Sequence, residues 1–336
     1  MKLDALLHPS SPAEIPALSR AAEERGFDGL WFGETSHDSL LASALAVEHT
    51  SRLDVGTSIT LAFTRSPMAL AYACWDVQNI AKGRFILGLG SQVKGHMERR
   101  FAVKWVPPVP KMREVIQSLR AIWSCWQTGE PLNFQGRHHS LSLMTPFFNP
   151  GPIEHPDIPI YLAAVNIGMA RLAGELCQGL HAHPLHTVAY LRDVLRPAVT
   201  EGARKTGRPS DEVNFAASVF VGVGRNRKEL ANSKEVVRQQ VAFYASTRTY
   251  RPVLDLHGWG EMGDRLHRLS VSGRWDEMSS QVPDEVLEEF MIEATFQELP
   301  EAVSSKYDGI LDRVSLYLPF DLKEDWWSSL IMAFRT

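Results

Sequence analysis

Residues 84–93 read RFILGLGSQV, and the choice between two α/β architectures turns on them. Arg84–Gly90 is a nearly unbroken apolar run of strand length, as a strand buried on both faces requires. If Gly88 and Gly90 opened a dinucleotide fingerprint, a third glycine would be needed at position 93. It would let the helix pack on the strand and admit a pyrophosphate. Val93 stands there instead, and no acidic residue follows at a strand end about twenty residues on to hold a ribose. A doubly wound nucleotide-binding sheet is the weaker reading.

The flanking units favour a closed α/β barrel. Lys2–Leu7 reads as a first strand, and Ser11-Pro12 with Glu14 as a capping box opening a helix that Gly26 stops. Further strands are expected at Asp28–Phe32, Leu53–Leu61, Arg84–Gly90, Pro159–Ala164, Gly179–Ala182, Val213–Val223 and Arg313–Leu318. Between them run helical patterns over Leu40–Ser51, from Ser66-Pro67 to Ala81, and over Met112–Trp126, Gly168–Leu176, His186–Thr206 and Arg227–Ser246, with Asp325–Phe334 as a closing helix. Eight strands with crossovers of about twenty-five residues match a (β/α)8 TIM barrel. The whole chain, 1–336, reads as one domain. Residues 128–156 form a long excursion, and 247–298 an insertion between strands 7 and 8, with Pro283–Thr295 helical, that is expected to lid the substrate side.

Composition narrows the function. The chain has 44% apolar and 22% charged residues, which is ordinary globular usage. A net charge of −4 argues against nucleic acid as a partner. Cys74, Cys125 and Cys177 are odd in number and form no CxxC, which excludes a disulfide framework and a thiolate metal site. The start MKLDALLHPSSP has no signal-peptide pattern, and no apolar run is long enough to span a membrane. A soluble, cytoplasmic protein is the expectation.

In a barrel the chemistry sits at the strand C-termini. Those ends present His8, Gly33–His37, Ser58-Ile59-Thr60, Ser91-Gln92, Ala164-Val165-Asn166, His183 and Pro319-Phe320. They make a poor hydrolytic triad, since no GxSxG elbow occurs. His181-Ala182-His183 has the spacing of a metal pair, yet it falls on strand six and strand eight offers no Asp until Asp321. A pocket histidine plus a packed core histidine is the better reading, with no metal. His138, His139 and His155 are expected to be solvated, and Trp31, Trp123 and Trp126 to be core. Trp259, Trp275 and Trp326-Trp327 belong either to packing of the insertion or to a homodimer surface.

Five segments in order carry a resemblance: WFGETSH at 31–37, LDVGTSI at 53–59, SPMALA at 66–71, GRFILGLGS at 83–91, and PIYLAA at 159–164 followed by GMARLAGE and GLHAHP. They resemble the luciferase-like monooxygenases, specifically the branch dependent on the deazaflavin coenzyme F-420. The likeness covers about 1–206, returns near 299–318, and is weak over 247–298. It implies a hydride-transfer barrel with the cofactor ring against strand three, backed by a bulge with a non-prolyl cis peptide at Ser58–Ile59. It further implies catalytic roles for Glu34, near the ring pyrimidine, and His37, as proton partner. Ser91 and Gln92 match the segment contacting the ribityl chain and phosphate, and Ala163, Ala164 and His183 match further cofactor-side positions. Arg99 and Arg100 are candidates for the phosphate or tail.

The chain departs from the pattern at Val93, where related sugar-phosphate dehydrogenases carry Glu, and at Val165-Asn166-Ile167, where many members have Gly-Gly-Pro. The resemblance implies an enzyme. With nothing in the sequence marking a polymer groove, a small or medium organic substrate is expected, and a homodimer or higher homo-oligomer is the expected assembly. Two alternatives stay open: a reduced-FMN monooxygenase served by a reductase partner, and a barrel without activity serving as a binding module.

Overall fold

The caps read from the sequence form, with one shift. Ser11 accepts from the Ala13 N–H at 3.3 Å, while Glu14 reaches back to Ser10 rather than Ser11, through its N–H and hydroxyl. A turn of 3-10 helix at Pro12–Glu14 therefore precedes the first α-helix, Ile15–Arg25, which ends at Gly26 with φ +89°. Ser66 caps the Pro67–Ala81 helix as expected, its oxygen accepting from Ala69 N–H.

The computed structural model describes residues 1–319 and 330–334. Eight parallel strands close into a barrel: Lys2–Leu7, Gly29–Phe32, Asp54–Thr57 resuming at Thr60–Leu61, Phe85–Gly90, Ile160–Ala164, Gly179–Ala182, Asn214–Gly224 and Arg313–Tyr317. Each pairs with its sequence neighbours, and the first closes on the eighth with Lys2 opposite Arg313 and Asp4 opposite Ser315. Helices surround this wall, burying one continuous apolar layer that includes Trp75, Trp123 and Trp126.

Three expectations change. Pro283–Thr295 is helical only over Asp284–Phe290. Met291–Thr295 is a ninth parallel strand pairing with the overhanging end of strand seven, Phe220 to Gly224. The excursion holds a small antiparallel hairpin, Phe134–Gln135 with Ser140–Leu141. Its His138 and His139 are half-buried, because the Glu114 carboxylate gathers the backbone N–H groups of residues 137–139. The closing helix is described only at its last turns, 330–334; its start, Phe320, Asp321 and Trp326-Trp327 lie outside the described residues. Trp259 packs within the insertion, stacked on His257 at 4.2 Å and tilted against Phe290. Trp275 stays half exposed beside Phe243. Among the described residues no helix is long and apolar enough to cross a membrane.

Candidate active site

The lower half of the barrel is filled. Trp31, Ile86, Tyr161 and Ala216 form a small interior cluster, and Gly56 leaves the space that Trp31 takes: a Cβ there would meet the indole at 2.3 Å. Beneath it Arg313 grips Asp4 with Nε and Nη2, both at 2.7 Å, and donates from Nη1 to Asp54 at 2.6 Å. Trp31 Nε1 donates to the same Asp4 carboxylate at 2.7 Å. Burial alone would push the guanidinium pKa down, but the two carboxylates outweigh it and raise it, so Arg313 stays charged.

Above this floor a cavity of about 260 Å³ opens at the strand C-termini. One side is strand three. After Thr57 the ladder breaks, the Ser58–Ile59 peptide is cis, and pairing resumes at Thr60. The glycines of RFILGLG explain how strand four accepts this bulge. A Cβ on Gly88 would lie 1.7 Å from the Thr57 carbonyl oxygen, and one on Gly90 would lie 2.1 Å from Ile59 Cδ1. Thr57 Oγ1 also donates to Gly88 O and accepts from Gly88 N–H, at 2.8 and 2.9 Å.

Glu34 fastens the bulge from the neighbouring strand. Its N–H donates to Ile59 O at 3.2 Å, and its carboxylate accepts from Leu61 N–H and from Arg65, which also binds Asp38. With these partners Glu34 is a positioning residue for the ledge that the bulge forms at the cavity's edge.

The opposite wall comes from strands six to eight and the helices after them. His183 is stacked on Tyr250 at 4.1 Å and meets Tyr244 edge-on at 4.7 Å, while the Tyr244 and Tyr317 hydroxyls lie 3.2 Å apart. Leu185 N–H donates to His183 Nδ1 at 3.1 Å, so the neutral ring carries its proton on Nε2. Ser218 and Ser315 share a hydrogen bond at 2.7 Å lower on the same wall. Between wall and floor sits His181, edge-on to Trp31 at 4.7 Å, its Nε2 buried without a hydrogen-bond partner.

Of the residues expected from sequence, Ser58 and His183 line the cavity, joined by His8, Gly33 and Thr35. Ala163 lies on the inner face opposite His181, whereas strand alternation sends Ala164 outward into the core. His37 is outside the cavity wall, its Nε2 donating to Ser10 O at 3.3 Å. Ser91 and Gln92 bond the adjacent backbone: Ser91 Oγ donates to Gln92 O, and Gln92 Oε1 accepts from Val93 N–H. Arg99 is exposed, and Arg100 donates to Thr35 O at 2.7 Å, tying two rim loops. Sequence reading missed Tyr244, Tyr250, Tyr317, Ser218 and Ser315. Tyr317 and Ser315 sit on a recognised strand and were within reach of alternation. Among the described residues no group of three or more His, Cys, Asp and Glu could hold a metal.

Burial holds three histidines neutral: His181 and His183 are pushed down to about 3 and His186 to about 4. Their folded pKa values lie below the unfolded value near 6.5, so the unfolded chain takes up the protons first. Stability is therefore full above pH 6.5 and falls as pH drops, by up to about 1.4 kcal/mol per pH unit for each group. Urea midpoints measured from pH 7 to 5, above the carboxylate range, should fall steadily.

A sequence profile for luciferase-like monooxygenases matches residues 2–313. An uncharacterized protein of Mycobacterium tuberculosis is 41% identical over 94% of this chain and 92% of its own length. The 5,10-methylenetetrahydromethanopterin reductase of Archaeoglobus fulgidus is 26% identical over 87% of this chain and 85% of its own. The coenzyme F-420 dependent tetrahydromethanopterin reductase of Methanopyrus kandleri shares the fold. It aligns over 99% of this chain and 97% of its own at a TM-score of 0.81, with 21% identity.

Proposed function

The chain belongs to the luciferase-like monooxygenase family, and from that premise we propose that it is an oxidoreductase transferring a hydride between reduced deazaflavin coenzyme F-420 and a small organic substrate. The observation that carries the reading is the bulge at Ser58–Ile59, which faces an open cavity and is held by Glu34 and accommodated by Gly88 and Gly90. The likeness to sequence relatives named for coenzyme F-420 supports the deazaflavin over a flavin.

The residues fit a planar ring. A volume of about 260 Å³ is just below the roughly 300–1,000 Å³ usual for small-molecule sites, enough for a flat ring system with its tail outside. The cavity lining carries no free charge and mixes aromatic rings with hydroxyl groups, which suits a flat heteroaromatic ring. When bound, the cofactor supplies the hydride chemistry; the protein supplies shape, orientation and proton partners.

Trp31 and the Asp4–Arg313 pair close the floor against water. Ser58 and Gly33 line one side of the cavity, and Arg100 bonds Thr35 on the rim, where an anionic tail would leave. Since His37 faces Ser10 O, the proton role passes in this reading to His183, which lines the cavity and carries its proton on Nε2. The first part of 247–298 supports a lid reading, because Tyr250 covers His183 and His257 Nε2 bonds Thr187 Oγ1 at 2.8 Å.

Fluorescence titration of the purified protein with oxidised coenzyme F-420 and with FMN tests this. Saturable quenching of the deazaflavin at micromolar concentration, with FMN silent, is the expected result. Saturation by FMN alone would move the protein to the monooxygenase reading with a reductase partner, and silence with both would leave a binding module.

A further inference from the structure

The wall opposite the ledge differs from the ledge in its charge. Of the cavity-lining residues only Asp4 and Arg313 are ionised, and both are spent on each other, Asp54 and Trp31 at the floor. Two cations by strand three and the Thr35 loop are already engaged: Arg65 is closed on Glu34 and Asp38, and Arg100 reaches the carbonyl of Thr35. A carboxylate or phosphate brought against strands six to eight would lose its water and meet no counter-charge, which is costly.

That wall is nevertheless rich in donors. His183 Nε2–H has no partner among the described residues. The Tyr244 and Tyr317 hydroxyls form one hydrogen bond with each other, which consumes one phenolic proton and leaves the second to donate outward. A carbonyl oxygen has two lone pairs and no proton, so it can accept from both donors and brings no donor of its own to satisfy. A hydroxyl would need an acceptor as well, and an ammonium group has no lone pair. The rings of His183, Tyr244 and Tyr250 add flat apolar surface beside those donors.

We propose that this wall is a subsite for the reacting end of an uncharged, flat carbonyl compound, bound through His183 and the Tyr244–Tyr317 pair. The proposal rests on the oxidoreductase reading and names the substrate class for it. The subsite is made of this chain's own residues and is measurable without cofactor.

Calorimetric titration of the cofactor-free protein with 2-acetylnaphthalene and with 2-naphthoate, equal in ring system and different in charge, tests it. The ketone should bind at least about 50-fold more tightly than the carboxylate. The double variant Tyr244→Phe/Tyr317→Phe removes the outward phenolic proton whichever ring carries it and leaves neither hydroxyl unpaired. It should weaken the ketone about tenfold while staying folded, and His183→Phe should do the same if the double variant does not fold. Equal binding, preference for the carboxylate, no binding of the ketone, or folded variants with undiminished ketone affinity would each overturn it. Ketone binding without any affinity for coenzyme F-420 would sink the redox reading and keep the subsite; the reverse pattern would sink the subsite alone.

Discussion

Replacing Arg313 by methionine is expected to destabilise the fold by about 3–5 kcal/mol, the usual cost of removing one partner from a buried ion pair. The side chain is 4% exposed and answers two carboxylates, Asp4 and Asp54, from strands one and three. Without it, Asp4 keeps only the Trp31 Nε1–H at 2.7 Å and becomes an unpaired charge inside the barrel. Because Arg313 joins the eighth strand to the first and third, the loss bears on barrel closure itself. The double variant Asp4→Leu/Arg313→Met should recover most of the loss, since replacing both buried partners by apolar groups is often neutral. Urea unfolding of the two single variants and the double measures this; a loss below about 1 kcal/mol in Arg313→Met would mean that the floor is wet.

Gly88→Ala is expected to be comparably severe and to remove cofactor affinity. The new methyl would sit 1.7 Å from a backbone oxygen of strand three, so the bulge must move, and overpacking against fixed atoms costs about 1–3 kcal/mol or more. Thr57 is fully buried and pinned by its two bonds to Gly88, which leaves no cheap retreat. Gly90→Ala is the control: its methyl clashes with the end of the Ile59 side chain, Cδ1 and then Cγ1, which has other rotamers, and not with backbone. Thermal unfolding should rank the two, with Gly88→Ala the less stable, and coenzyme F-420 titration should show the larger loss for Gly88→Ala.

Most of the barrel was legible because each unit announced itself locally. Ser66-Pro67 capped a helix, Gly26 ended one, and apolar runs such as FILGLG marked strands buried on both faces. Rejecting a nucleotide fingerprint at Val93 was sound. The use of Gly88 and Gly90 was legible only in part, because their steric partner lies about thirty residues upstream on the neighbouring strand.

What escaped depends on distant pairing. Met291–Thr295 is a strand because strand seven overhangs its neighbour and offers free backbone at Phe220–Gly224. Nothing within the segment itself distinguishes it from a helix's last turns. Tyr244 and Tyr250 come from a helix end and a short 3-10 turn, where no strand terminus directs attention inward. Ser91 and Gln92 were placed near the ring's tail by resemblance, yet their side chains are spent on adjacent backbone, a local competition that residue identity does not reveal.

Diffraction from crystals of the protein soaked with coenzyme F-420 tests the central claim most directly. The account predicts density for the deazaflavin ring lying against the 58–59 peptide, above Trp31 and within reach of His181, with its tail leaving past Thr35 and Arg100. Density for the ring outside this mouth, or a mouth filled by the protein's own side chains with cofactor bound elsewhere, would contradict it.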